Sequence, residues 1–353
     1  MTPTTRPGTD LGPLPPRTTQ RQDLVTVLVS LWLIAGLFVD AYAHSNLELD
    51  ETFFTPWHAI FYSGFLASAA WMVRLVLINR GAGTSYVEWI PAGYGLGLVG
   101  LAVFVLGGVG DGIWHSVLGV EEGIDALLSP THLVLFSGGL LIVSSPIRAR
   151  LRDDAFHPSG FTDFLVPLLS LTLTVALVGF FFSYLWNLGD DGLPRHVFDP
   201  VTDEGVIYVR AGIGGIMVTT LILVTPLVLL LRRWVVPFGT FTVMYTAINV
   251  ANVYAFDLDE IAIAAGIVAG VGADVLILAL RAGPARVNAV RVVASVVPLL
   301  LWSVYFGLVA GQPGGIDWPL EIWSGAIFFA GLAGFALSLV MIDEPLRLEF
   351  RRR

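Results

Sequence analysis

The chain of 353 residues is strongly apolar: 55% of its residues are hydrophobic, only 13% are charged, and its mean hydropathy is +0.77. Soluble domains carry about 25% charged residues, so this composition excludes a soluble globular enzyme, a disordered protein and a nucleic-acid binder. The formal net charge is −9, and the absence of cysteine excludes disulfides, thiolate metal sites and iron–sulfur clusters.

Apolar segments follow one another along the chain after a polar N-terminus. Each is long enough, or nearly so, for the roughly 20 residues of a membrane-spanning helix. Backbone groups in lipid must be hydrogen-bonded within the protein, which favours helices, and the segments lack the alternation of barrel strands. We therefore predict an all-α polytopic bundle of about ten transmembrane helices. The predicted spans are 24–44, 56–73, 90–114, 130–147, 162–186, 206–231, 235–256, 260–280, 292–311 and 319–342.

The spans divide the chain into five predicted regions. Residues 1–23 form a flexible cytoplasmic tail, and 24–147 form a repeated unit of two helical hairpins. A cytoplasmic loop over 148–161 leads to a six-helix membrane region over 162–342. A basic cytoplasmic tail over 343–353 ends the chain.

The arginines predict the orientation of these spans. All 19 basic residues are arginine, and with a cytoplasmic N-terminus only Arg195 and Arg210 fall on the outer side. This distribution is a strong positive-inside signal and places both termini in the cytoplasm. We predict a multi-pass protein of a prokaryotic inner or plasma membrane. Its expected partners are the lipid bilayer and, as further candidates, other membrane subunits or a second copy of the chain.

The first predicted hairpin carries one carboxylate and two imidazoles. Asp40 and His44 lie four residues apart at the outer end of the first span and share a helix face. Pro56 fits the first turn of the second span, with Thr55 as its N-cap, and His58 follows just inside. The hairpin should therefore bring the three side chains together near the outer membrane boundary.

The second hairpin repeats this pattern with Asp111, His115 and His132, and with Ser129 and Pro130 before the helix. Both copies have the form D-x-x-x-H-S, then an acidic loop, then [ST]-P-x-H, and the second has three more residues between its histidines. An even number of spans separates the hairpins, so they form a parallel repeat. The sequence leaves open whether the triads make two sites or one shared site.

Imidazole together with carboxylate suits Cu(II), Zn or Fe(II). This donor set favours metal binding over a proton relay or a structural network of hydrogen bonds. Outer acids that could surround the ligands are Glu48, Asp50, Glu51, Glu121, Glu122 and Asp125. Residues that could continue a polar path through the membrane are Asn249, Asn252 and Asp274, although interhelical hydrogen bonding would also explain them.

The two triads resemble a known motif. D-G-I-W-H at 111–115 with S-P-T-H at 129–132, and D-A-Y-A-H with T-P-W-H in the first copy, are similar to the copper-binding Asp–His–His motif of one family. That family is the membrane C subunit of particulate methane monooxygenase and ammonia monooxygenase. The resemblance implies that both triads are copper ligands in a monooxygenase-like component. It is confined to the hairpins, and the chain has no soluble cupredoxin-like domain.

Three other functions remain open from the sequence. A metal-ion transporter or metal-handling protein would use the acidic outer loops to supply the repeated sites. A zinc-dependent membrane hydrolase would use Glu121, Glu122 or Asp125 as a general base. In a non-catalytic structural protein, the triads would only hold the first four helices together.

Overall fold

The computed structural model describes residues 15–47, 55–81, 86–119, 121, 123–186 and 203–343, without the side chains of 203 and 204. These residues form α-helices and two short 3-10 turns, and no strand occurs among them. The predicted all-helical class is confirmed. The helices are α1 (Gln20–Asn46), α2 (Pro56–Ile78), α3 (Gly95–Leu118), α4 (Ile124–Leu128), α5 (Pro130–Val143), α6 (Ser145–Leu151), α7 (Phe161–Phe181), α8 (Asp203–Leu231), α9 (Thr240–Phe256), α10 (Ile261–Leu280), α11 (Val287–Ala310) and α12 (Leu320–Met341).

Eight helices are long and apolar enough to cross a membrane, namely α1, α2, α3, α7, α8, α10, α11 and α12. The pair α5 and α6 reaches that length only across a bend of 43° and would be a ninth span. The remaining predicted segment corresponds to α9, which has 17 residues. The chain is a multi-pass helical membrane protein, and the count of ten spans stays a prediction.

Two predicted boundaries differ from the observed ones. Helix α1 begins at Gln20, inside the predicted tail, because Thr19 and Gln22 form a capping box that starts the helix there. The loop predicted from residue 148 begins only after Leu151, because Pro146 occupies the first turn of α6 and the helix continues.

The ends of distant helices meet at one end of the bundle. Arg17, before α1, pairs with Asp153 after α6 at 2.6 Å, and Arg150 pairs with the buried Asp23 of α1. After α8, Arg233 donates to Asp154 at 2.7 Å and lowers the pKa of that carboxyl. Arg232 reaches the carbonyl of Met341 in α12, at 2.8 Å. Segments that the arginine count assigns to the cytoplasm therefore lie together.

In each hairpin the two helices cross at a glycine. A Cβ atom on Gly64 of α2 would lie 2.6 Å from the Cα of Leu33 in α1. A Cβ atom on Gly138 of α5 would lie 2.6 Å from the backbone nitrogen of Phe104 in α3. Only glycine allows these backbones to approach so closely.

The crossing extends the sequence repeat beyond the triads. Gly64 and Gly138 each follow the second histidine of their hairpin by six residues, and the two contact partners, Leu33 and Phe104, each precede the aspartate by seven. Each hairpin thus has its donor residues and its close helix contact at matching positions. The two hairpins therefore share the position of their close helix crossing as well as the positions of their donor residues.

Helix α7 holds the hairpins against the rest of the bundle. It is buried along most of its length and contacts α1, α5, α6, α8 and α9. Helices α9 to α12 pack mainly against their neighbours in the chain, whereas α8 packs on α12, α11 and α7. The triads therefore lie in a four-helix unit on one side of α7.

Candidate metal centre

The first triad, site 1, contains Asp40, His44 and His58. The Nε2 atom of His58 lies 3.7 Å from Asp40 Oδ2, and that of His44 lies 3.9 Å from Asp40 Oδ1. Thr55 caps α2 by accepting from the backbone N–H of His58 at 3.1 Å, and its hydroxyl also contacts His58 Nδ1 at 2.9 Å. The predicted cap and first-turn proline therefore place His58 opposite Asp40.

The second triad, site 2, contains Asp111, His115 and His132 and is more compact. Both Nε2 atoms approach Asp111 Oδ1, at 3.4 Å from His115 and 3.0 Å from His132. Thr131 donates to the same oxygen at 3.2 Å. Ser129 caps α5 through the backbone N–H of His132, as predicted.

The two sites differ in their access to the surroundings. The side chain of His44 is 35% exposed in site 1, whereas that of His115 is 6% exposed in site 2. Asp111 is 1% exposed and Asp40 is 9% exposed. The second histidines differ in the opposite direction, with His58 13% and His132 22% exposed, so site 2 is the more enclosed at its aspartate and first histidine only.

Both imidazoles of site 2 are held by their outer nitrogens. The Nδ1 of His132 donates to the carbonyl of Ala126 in α4, and that of His115 donates to the carbonyl of Gly119 at 3.3 Å. Glu121 Oε2 also lies 3.4 Å from His115 Nδ1. A carbonyl can only accept, so each Nδ1 carries hydrogen, and a ring in its neutral form presents an Nε2 lone pair to Asp111. Acceptor atoms at this separation repel each other unless a cation or a proton lies between them.

The separations suit a metal ion. Ligand atoms bound at about 2.1 Å to a tetrahedral ion lie roughly 3.4 Å from one another. The imidazole-to-carboxylate distances of 3.4 and 3.0 Å in site 2, and of 3.7 and 3.9 Å in site 1, lie on either side of that value. In each triad all the donor atoms lie within 4.8 Å of one another.

Site 1 contains a carboxylate oxygen that lacks a hydrogen-bond partner among the described residues. Asp40 Oδ1 is buried and has no hydrogen-bond partner among the described residues. Buried carboxylate oxygens are normally paired, because desolvation without a partner is costly. A cation held between Asp40 and its two histidines would satisfy this oxygen.

The two triads are neighbours but remain distinct groups. The charges of Asp111 and His132 act on Asp40, and those of His115 and His132 act on His44. The donor atoms nevertheless form two separate clusters. The described residues therefore form two triads of donor atoms.

Only part of the outer acid set can be located. Glu48, Asp50, Glu51 and Glu122 lie outside the described residues. Glu121 lies against His115, on the side of the ring that faces away from Asp111. Asp125 is exposed on α4 and belongs to neither triad.

The residues of the predicted polar path bind backbone groups of α9, although Asn252 Oδ1 is buried without a hydrogen-bond partner among the described residues. The amide nitrogens of Asn249 and Asn252 donate to carbonyls one turn earlier in α9, at 2.8 and 2.9 Å. Asp274 of α10 accepts from the backbone N–H groups of Phe241 and Thr242, at 3.2 and 3.0 Å, and from the Thr242 hydroxyl. It thereby caps the start of α9, whose own N-cap residue is a glycine.

Three phenylalanine side chains link α1, α7 and α9. Phe38 of α1 packs edge to face on Phe180 of α7, with ring centroids 5.2 Å apart. Phe180 in turn contacts Phe256 of α9 at 5.1 Å. These aromatic contacts thus join the helix of Asp40 to the helix that carries Asn249 and Asn252.

Sequence reasoning missed several residues of the centre. Thr131 occupies the variable position of the S-P-x-H motif, so the motif alone gives no reason to select it. The carbonyls of Gly119 and Ala126 are backbone atoms and leave no signal in residue type. Tyr62 could have been found, because it follows His58 by four residues and must share its helix face.

Comparisons with protein-family models, with curated proteins and with solved structures find no match for this chain. The similarity to the monooxygenase C subunit therefore stays at the level of the motif. Function has to be argued from the geometry of the triads.

Proposed function

We propose that this chain is an integral membrane metal-binding protein that holds one transition-metal ion in each Asp–His–His triad. The main support is the convergence of two imidazole Nε2 atoms and one carboxylate oxygen in site 2, with both outer Nδ1 atoms bound to backbone carbonyls. This arrangement is typical of metal-ligating histidines, whose second nitrogen is fixed by a neighbouring acceptor. The unpartnered Asp40 oxygen supports the same assignment for site 1.

Copper is the metal we propose first, with zinc and iron as alternatives. Two imidazoles and a carboxylate suit all three ions, and the motif resemblance favours copper. Three protein ligands leave coordination positions open, and a copper ion bound in this way would supply redox chemistry of the kind that a monooxygenase-like component uses. The ligand residues would hold and orient the ion, and the buried position of Asp111 would limit the access of water.

The other hypotheses have less support from the geometry. A hydrolase needs a base on the metal side of the ligands, but Glu121 faces the outer nitrogen of His115. A transporter needs polar groups that continue through the membrane, but Asn249, Asn252 and Asp274 are bound to nearby backbone groups. A protonated structural network would explain the short contacts of site 2 and is the alternative that the experiment must separate.

The test is metal analysis of the detergent-purified protein for copper, zinc and iron. We expect one equivalent of copper per triad in the wild type, loss of one equivalent in His44→Ala or His115→Ala, and loss of both in the double variant. His157→Ala is the matched control, because His157 is an exposed histidine outside both triads. Electron paramagnetic resonance should show nitrogen hyperfine coupling from the imidazoles.

Two outcomes would contradict the proposal. A wild-type protein without stoichiometric copper, zinc or iron, including after incubation with each ion, would favour the protonated network. Unchanged metal content in a monodisperse double variant would place the metal elsewhere. Zinc or iron in place of copper would retain the sites and reject the copper assignment.

A further inference from the structure

A cavity of about 350 Å³ lies at the ends of α1 and α3 that are opposite to the two triads. Its volume falls within the range of roughly 300–1,000 Å³ that is typical of small-molecule sites. Three segments form most of its wall: the residues before α1, the connection between α2 and α3, and the residue after α6. The lining includes Pro15, Arg17, Val87, Ile90, Pro91 and Arg152.

Backbone contacts hold these segments together. The N–H group of Ala92, in the connection between α2 and α3, donates to the carbonyl of Pro16 before α1 at 2.9 Å. Gly93 has a positive φ of 90° and lies so close to α6 that a Cβ atom on it would collide with the backbone nitrogen of Ala149. The cavity is therefore formed by the protein itself and needs no ligand to hold it open.

The cavity carries positive charge that the protein does not neutralise. No acidic side chain occurs among the described residues that line it. Arg17 pairs with Asp153 at 2.6 Å. A smaller neighbouring cavity is lined by both of these arginines and by Arg150, which pairs with Asp23. Within the described part of the chain, Arg152 has no ion pair and the buried Nε atom of Arg150 has no hydrogen-bond partner. The three arginines thus leave one positive charge and unused N–H donors for an anion.

The remaining lining is apolar, and its surroundings are typical of a membrane interface. Tyr86 and Val87 are 77% and 72% exposed, and the Tyr86 ring packs on that of Trp89 with centroids 4.6 Å apart. Tyrosine and tryptophan concentrate at the level of the lipid headgroups. The occupant should therefore join an anionic group to an apolar part, which is the chemistry of a phospholipid.

We propose that this cavity binds the phosphate group of an anionic phospholipid, in the leaflet that the arginine distribution assigns to the cytoplasm. The guanidinium of Arg152 donates to the phosphate oxygens, because its planar N–H groups match their geometry, and Arg17 adds a second positive charge. The apolar part of the lipid lies against Val87, Ile90 and Pro91. Basic pockets between the cytoplasmic ends of membrane helices bind lipid headgroups in this way. The site is separate from the metal centre and does not depend on it.

Native mass spectrometry of the detergent-purified full chain tests the proposal, with phosphatidylglycerol and phosphatidylcholine of the same acyl chains as probes. We expect one phosphatidylglycerol to bind at least about 10-fold more tightly than phosphatidylcholine, and Arg152→Gln to remove this preference, because charge-assisted hydrogen bonds to the phosphate are lost. Arg74→Gln is the matched control, because Arg74 is an exposed arginine on the same predicted side that does not line the cavity. It should change the affinity by no more than about twofold, the scale of ordinary surface changes.

Gly95→Leu is a second variant that keeps every arginine. Gly95 also lines the cavity, and a Cβ atom on it would meet Ile90 Cγ2 at 3.9 Å, an ordinary van der Waals distance. The backbone can therefore accept a side chain that fills the space. We expect the same loss of phosphatidylglycerol binding as in Arg152→Gln, with thermal unfolding in lipid-free detergent unchanged.

Several outcomes would overturn the proposal. Equal binding of the two lipids, or unchanged binding in monodisperse Arg152→Gln and Gly95→Leu proteins, would show that the cavity is not a lipid site. An equal loss in Arg74→Gln would indicate a general effect of surface charge. Displacement of phosphatidylglycerol by millimolar inorganic phosphate would identify a soluble phosphate compound as the ligand in place of a lipid.

Discussion

The two hairpins use the same types of donor residue at the same helical spacing, but the donor atoms lie closer together in the second hairpin. In the second hairpin Asp111 Oδ1 lies within 3.4 Å of both histidines and accepts from Thr131. In the first, the corresponding distances are 3.7 and 3.9 Å, and Asp40 Oδ1 has no hydrogen-bond partner among the described residues. The helix crossing therefore fixes which residues meet, while the neighbouring loop residues determine how tightly they are held.

The longer connection of the second hairpin accounts for much of this difference. It contains α4, whose Ala126 carbonyl binds His132, and Glu121, which lies against His115. The connection of the first hairpin lies mostly outside the described residues. Among those that are described, Thr55 contacts the outer nitrogen of His58. A loop extension thus provides a way to tune one copy of a repeated site.

The largest expected difference between the copies is at the aspartates. Asp111→Ala and Asp40→Ala should each abolish metal binding at their own site. Only Asp111→Ala should also lower the free energy of unfolding of the metal-free protein, by about 2 kcal/mol, because its carboxylate is the buried acceptor of several close groups. Metal analysis and thermal unfolding in detergent would measure both effects.

Asp125→Ala is the control for that comparison, because Asp125 is an exposed acid of the same hairpin. Equal losses of stability for Asp40→Ala and Asp111→Ala would mean that the two copies are supported alike. The proposed difference between the hairpins would then be wrong.

Substitution of the glycine at the helix crossing should destabilise both hairpins equally. Gly64→Ala and Gly138→Ala each place a methyl group against a backbone atom, so each should cost about 1–3 kcal/mol through overpacking. Gly325→Ala is the matched control, because open space surrounds that helical position, and it should be neutral or slightly stabilising. Thermal unfolding of the three variants is the measurement, and sensitivity of one hairpin alone would show that the crossing is not a shared feature.

The outer carboxylate should matter only for site 2. Glu121→Gln removes the charge beside His115 while keeping the side-chain shape, and copper affinity at site 2 should fall about 10-fold or more. Site 1 should be unaffected. Glu321→Gln, an exposed acid in the first turn of α12, is the control. An equal loss at both sites would indicate a general effect of charge on the outer surface.

Removal of the helix caps should produce the smallest difference between the two hairpins. Thr55→Ala and Ser129→Ala each remove a hydrogen bond at a helix start and should cost about 1 kcal/mol of stability. Thr55→Ala should also weaken metal binding at site 1, because Thr55 contacts the outer nitrogen of His58. Ser129→Ala should leave site 2 in place, since Ala126 holds His132. If Thr55→Ser fails to restore site 1, the contact between Thr55 and His58 has no role in binding.

Much of the centre could be predicted from the sequence because it depends on local spacing. Residues four apart on a helix must share a face, and a threonine or serine before proline marks a helix start. These two rules place Asp40, His44 and His58 together, and their counterparts in the second hairpin. The glycine six residues after His58 was available to the same reasoning but gains its meaning only when its partner helix is known.

The features that were missed depend on contacts between distant parts of the chain. Tyr62 lies against Gly108 only because α2 packs beside α3, and spacing along one helix gives no information on that packing. The same holds for Asp23, predicted to lie in the tail, whose partner Arg150 is 127 residues away. The bend between α5 and α6 had a local signal in Pro146, which the prediction of one continuous span did not use.

The cap that Asp274 places on α9 has a consequence for biosynthesis. The amide groups at the start of α9 are bound by a carboxylate that the ribosome adds 32 residues later. Unsatisfied backbone groups are costly in hydrocarbon, and α9 is short and carries two buried asparagines. We therefore expect α9 to remain in the translocon until α10 has been synthesised, so that the two helices enter the bilayer together.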